Sequence, residues 1–356
     1  MMLRFPRRPF VRRALVGAPA AAGLFFAAAC SDSTTEPPPP PVTAEITVDA
    51  SASPAYVKLG DPASTVSVND PTTSTAWDMA LFATSVTVNG GAAGPGGVTA
   101  YCLCANSGAT VAELQAMTPA NQLAAFEAVT TANVPAAATF IADALNPAIS
   151  GWVTGTGGAA AAAPSRAWIV RRTVSGVILA KFRVTAVSGA TATSAGNVTV
   201  EYAIQPSSGA SFGAVSTRTL DLSAGPVYLD VALGPVASTS SWDLRLSGYE
   251  IRINGGVSGS GGVSAVLDQT TAFSLITSEY ASSAPAVAYR SDSYGGVFVS
   301  SPWYRYNITG TDNQIWPNFN VYLVKRDDAV YKVHITSYYG ASGAPRQITI
   351  RSSRVP

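Results

Sequence analysis

Histidine is nearly absent: one imidazole, His334, stands in a chain of 356 residues, beside three cysteines and four methionines. That scarcity excludes multi-histidine metal sites and leaves almost no His-centred acid–base chemistry. Acidic residues nowhere cluster as a recognisable catalytic pair, so the residues carry no case for an enzyme. Charge is scarce too, at 12% of residues against about a quarter in an average soluble domain. Five of the 22 basic residues, Arg4, Arg7, Arg8, Arg12 and Arg13, fall in the first 29 positions, which hold no acid. The remainder of the chain is net negative and lacks a basic run, which excludes nucleic acid as an electrostatic partner.

What is present at the amino terminus is an export signal. An Arg-rich start precedes an apolar stretch, residues 14–29, which is shorter than the roughly 20 residues of a permanent membrane helix. Residues 1–29 read as a signal peptide. Three alanines directly before Cys30 resemble a bacterial lipobox, which makes Cys30 the lipidation site and the lipid bilayer a partner. Arg7-Arg8-Pro9-Phe10-Val11 also resembles a twin-arginine signal. Residues 30–44, with five consecutive prolines at 37–41, read as a Pro-rich tether that cannot bury a core.

Beyond the tether the chain repeats itself. Trp77-Asp78 is followed by Asn89-Gly90-Gly91 and then Gly96-Gly97-Val98; Trp242-Asp243 is followed at the same spacings by Asn254-Gly255-Gly256 and Gly261-Gly262-Val263. Between these landmarks lie short Val-, Ile-, Thr- and Tyr-rich segments bounded by Gly, Pro, Asn and Ser, the pattern of antiparallel strands. The glycine runs are not phosphate cradles, since no helix start follows Gly97 or Gly262. The Trp reads as a core plug and the Asp as a turn-capping acceptor. Thr110-Val111-Ala112-Glu113 has capping-box form, Leu123 and Phe126 have helical spacing, and residues 136–145 read as a further helix. The fold class is therefore all-β: two tandem antiparallel domains, 45–205 with a helical insertion at about 110–148, and 206–356.

The repeated motifs, with Trp303-Tyr304-Arg305-Tyr306, Tyr322-Leu323-Val324-Lys325-Arg326 and Lys332-Val333-His334-Ile335-Thr336, resemble HmuY-like haem-binding lipoproteins. The resemblance implies an outer-membrane or cell-surface protein that binds haem and works with a haem carrier or a TonB-dependent receptor. It also implies axial iron ligation by paired His or by Met. The second copy offers only His334, however, and the first only Met79 and Met117. Strand alternation puts Lys332, His334 and Thr336 on the face opposite Val333 and Ile335, and Arg183 replaces His334 in the first copy, the pattern of a solvated face. Among the C-terminal aromatics, Trp303, Tyr304 and Tyr306 are the candidate ligand-binding residues, because rings stack on flat ligands and a phenolate ligates haem iron. The alternative is an adhesion or scaffold module of the same fold that binds a glycan or an envelope protein. Cys102 and Cys104 pair with each other, pair with a partner chain, or stay buried as thiols.

Overall fold

Alternation decides what each strand buries. In the strands Met79–Phe82 and Ser85–Val88, Met79, Leu81, Val86 and Val88 are buried, whereas Ala80, Phe82, Ser85 and Thr87 face away from the core. In the computed structural model these strands belong to a four-stranded antiparallel sheet ordered Ser64–Val66, Ala55–Lys58, Met79–Phe82, Ser85–Val88. The structure describes residues 45–356 except 175, 231–233 and 237–240, with backbone alone for Gly234–Val236. Cys30, the signal peptide and the tether lie outside the described residues.

The small sheet packs on a five-stranded antiparallel sheet ordered Glu45–Asp49, Pro345–Arg354, Ala329–Tyr339, Val321–Arg326, Thr99–Cys102. Val57, Met79 and Leu81 from one meet Tyr322, Val333 and Ile350 from the other, and these form the first core. A second pair of sheets repeats the plan. Its small sheet holds Val227–Asp230, Leu244–Ser247 and Glu250–Ile253. Its large sheet runs Ser216–Asp221, Asn197–Ile204, Ile178–Ser188, Ala167–Arg172, Val263–Asp268. Trp168, Phe182, Leu244 and Ile253 are central to the second core.

Each core draws on both sequence copies. The edge strand Thr99–Cys102 of the first copy pairs with Val321–Arg326 of the second, and Val263–Asp268 of the second pairs with Ala167–Arg172 of the first. The second core is built from residues 149–265, and the first from residues 48–102 and 297–350. The packing separates an inserted module from the one that encloses it, a division distinct from the one expected at 205/206. The chain crosses between them twice, and the crossing strands Ala144–Asn146 and Ser293–Gly295 pair antiparallel, with Leu145 opposite Tyr294. The Trp-Asp aspartates lock the exchange: buried Asp78 is ion-paired with Arg326, and Asp243 with Arg172 at 3.1 Å.

The helical insertion is short and covers a face that alternation reads as solvated. Helices Val111–Ala116 and Leu123–Glu127 form, the first with the Thr110/Glu113 capping box. Residues 136–145 are not a helix but a 3₁₀ turn, Ala137–Thr139, leading into the crossing strand. Ile141 exchanges backbone hydrogen bonds with Ala100 there, so an extended pairing overrides the helix propensity of the alanines. The second copy has its own helical turns, Phe273–Leu275, Ser278–Ser282 and Ala286–Ala288.

Phe126, Val129 and Phe140 of the insertion lie on Val321 and Leu323. His334 is consequently fully buried, stacked on Phe126 at 5.5 Å, with Nε2 donating to the Phe319 carbonyl at 2.6 Å. A layer from the other copy, far away in sequence, replaces the solvent that strand alternation assigns to this face.

Burial lowers the His334 pKa to about 4, helped by the neighbouring Arg351 charge and opposed by the Phe319 bond. The unfolded chain takes up a proton near the ordinary value of 6.5, the folded chain only near 4, so this residue's contribution to stability falls as pH drops through that window. Burial raises Asp143 to about 6, giving a slope of opposite sign that partly cancels it in the parent protein. The expected result is therefore a difference: His334→Gln is less stable than the parent at pH 7.5, and the gap narrows by up to about 3 kcal/mol on acidification to pH 4. Urea unfolding across pH measures it, and a gap independent of pH contradicts it.

Candidate functional site

The outer face of the first small sheet is the floor of a cavity of about 440 Å³, within the usual range of small-molecule sites. Tyr56, Ala80 and Thr87 lie in one cross-strand row, with Phe82 opposite Ser85 beside it. The facing wall comprises Val257, Tyr294 of the crossing strand, Phe298 and Val299 of the short helix Val297–Ser300, Pro302 and Tyr304. Both sequence copies therefore build this one cavity. Most of the lining is apolar or aromatic, and Phe82 and Val299 remain exposed.

The repeated motif supports the floor. Trp77 is buried and meets Tyr56 edge-to-face at 5.2 Å. Asn89 donates from Nδ2 to the Trp77 carbonyl at 2.9 Å and accepts at Oδ1 from the Gly96 amide at 2.9 Å. Asn254 repeats both bonds, to Trp242 at 2.8 Å and from Gly261 at 3.0 Å. Glycine is required beside it: a Cβ on Gly90 would stand 1.9 Å from the Val98 carbonyl oxygen, and Gly91, at φ +62°, 2.2 Å from that of Asp143. Gly255 and Gly256 are equally confined against Val263 and Asp292. Asp78 accepts from the Leu59 amide at 2.8 Å and pairs with Lys58 at 3.0 Å, in addition to Arg326.

Of the three aromatics singled out from the sequence, Tyr304 lines the cavity. Trp303 lies behind it as a core plug, its Nε1 donating to the Thr84 carbonyl at 2.9 Å. Tyr306 is exposed, its hydroxyl donating to Asn313, and does not line the cavity. Sequence reasoning missed Tyr56, Phe82, Tyr294 and Phe298. Tyr56 carried a signal, the Tyr-Val-Lys-Leu segment that precedes Trp-Asp; Tyr294 carried none, because its counterpart across the crossing is Leu145.

In the second copy the same row reads Tyr228, Arg245, Arg252, with Glu250 at the position of Ser85. Tyr228 still meets Trp242 edge-to-face, at 5.8 Å. The frame is the same in both copies, but two arginines and a glutamate ion-paired with Arg252 occupy the surface that is open in the first.

Among the described residues no imidazole or thioether lines the cavity. Met79 is buried between the sheets on the opposite side of the floor, and His334 lies beneath the insertion. Burial raises the pKa of the cavity phenols Tyr56 and Tyr294, which keeps them protonated at neutral pH. Among the described residues no cluster of three or more metal-ligating side chains occurs. Cys102 and Cys104 form a disulfide with each other, which resolves the three alternatives. Gly209-Ala210-Ser211-Phe212-Gly213 has the form G-x-S-x-G but lies in a loop between two strands, without the following helix of a nucleophile elbow. No described helix is long and apolar enough to cross a membrane.

In comparison with known proteins, the family model described as HmuY protein matches residues 54–202 and 220–351, well over half of the chain. No curated protein matches.

Proposed function

The chain belongs to the HmuY family, and from that premise we propose that it is a non-enzymatic surface lipoprotein holding a tetrapyrrole such as haem in the cavity between the first small sheet and the crossing strands. The observation that carries the reading is the aromatic cavity itself: Tyr56, Phe82, Tyr294, Phe298 and Tyr304 line it, and aromatic rings favour flat apolar ligands. The family's axial His or Met pair does not fit these residues, so no iron ligand is assigned. Haem acquisition at the outer membrane, with a haem carrier or TonB-dependent receptor as partner, is the corresponding role. Haemin titrated into the mature chain is expected to give a saturable Soret change at micromolar protein, lost in Ala80→Arg, which places the arginine of the second copy on the cavity floor. A titration without saturation removes the reading.

Anchoring through Cys30 follows from the leader. A diacylglycerol thioether and an N-acyl chain bury many methylenes at about 0.8 kcal/mol each, which makes attachment stable. Cys30→Ser, expressed with its own leader, is expected to leave the membrane fraction and to lose incorporation of labelled fatty acid. Retention of both contradicts the anchor.

The missing axial pair specifically favours one second reading, an adhesion or scaffold module that takes a glycan or envelope protein. Blank glycan arrays and pull-downs, together with saturable haemin binding, remove it.

A further inference from the structure

Because the residues that line the cavity contain no group of the kind by which the family holds iron, we infer that this chain grips the porphyrin ring rather than the metal, and takes an iron-free porphyrin as well as it takes haem. The inference rests on the tetrapyrrole reading above and deepens it by naming the ligand class. The only imidazole in the chain is enclosed between Phe126 and Phe319, with its Nε2 committed to a backbone carbonyl. Met79 is fully buried on the core side of the very strand whose other face supplies Ala80 and Phe82 to the floor, so it cannot reach the cavity without reversing the strand's register.

What remains, besides the phenol hydroxyls of Tyr56, Tyr294 and Tyr304, is ring chemistry. Tyr56 and Phe82 from the sheet, with Tyr294, Phe298 and Tyr304 from the second copy, line the cavity with aromatic rings. Aromatic pairs of this kind contribute to binding beyond the burial of area, and every such contribution is indifferent to whether iron sits at the centre of the ring. One ring per chain is accommodated, since the equivalent surface of the second copy carries Arg245, Glu250 and Arg252.

The test uses the full mature chain, with haemin and iron-free protoporphyrin IX titrated separately and followed by tryptophan quenching and absorbance. The expected result is one equivalent of either, dissociation constants within about threefold of each other, and a loss of at least about tenfold for both in Ala80→Arg. Tyr304→Phe and Tyr294→Phe are expected to leave the absorption spectrum of bound haemin unchanged. Haemin binding about tenfold or more tighter than the iron-free ring, or a spectrum that shifts in either Tyr variant, overturns the inference while leaving the tetrapyrrole reading in place. Failure of both ligands to bind overturns the two together.

Discussion

Cutting the backbone in the exposed loop at residues 207–209 is expected to leave the two fragments bound to each other. A protease site inserted there severs the first sequence copy from the second, and two sequential domains would part on a sizing column. In the structure they cannot part. The amino-terminal fragment contributes Thr99–Cys102 and the first small sheet to one core, and Ala167–Arg172 with its neighbouring strands to the other. The carboxy-terminal fragment completes both. Separation therefore exposes two apolar cores at once, whereas separation of sequential domains exposes only their mutual interface. The cut protein should elute as the intact one does and split only in denaturant. Two native peaks would refute the exchange.

Asp78→Ala is expected to cost about 3–5 kcal/mol, the usual result of removing one partner from a buried ion pair. The carboxylate is fully buried and serves three donors: the Leu59 amide, Lys58 and Arg326. Its loss strands Arg326, which also donates to the Tyr331 hydroxyl at 2.7 Å, and leaves the Leu59 amide without an acceptor. Lys58→Ala provides the contrast, because that side chain is about a third exposed and its pair is screened by water; about 1 kcal/mol or less is expected. Equilibrium unfolding in urea measures both. If Asp78→Ala costs no more than Lys58→Ala, Asp78 is not a fastening between the copies.

How much of this was legible in the sequence depends on the range over which each constraint acts. Trp77, Asp78, Asn89 and the glycines repeat at fixed spacing because Asn89 bonds Trp77 and Gly96 within one short stretch of chain. A local network of this sort leaves a local pattern. The all-β class was legible for the same reason, since alternation is set residue by residue. The exchange left no trace: Val321–Arg326 and Ala167–Arg172 are similar strands, and either would satisfy the edge that Thr99–Cys102 presents. A duplicated sequence states which strands pair but not which copy supplies them. His334 was misplaced because alternation distinguishes two faces and cannot report a second layer folded over one of them. Tyr304 was found among many aromatics, but its partners in the cavity come from stretches that share no motif with it.

The crossing at Ala144–Asn146 and Ser293–Gly295 also orders events in time. A ribosome delivers the chain from its amino terminus, and residues 148–268 contain the second core and the strands around it. That module can close while the strands 45–102 of the first still wait for Pro345–Arg354, which follows it in the chain.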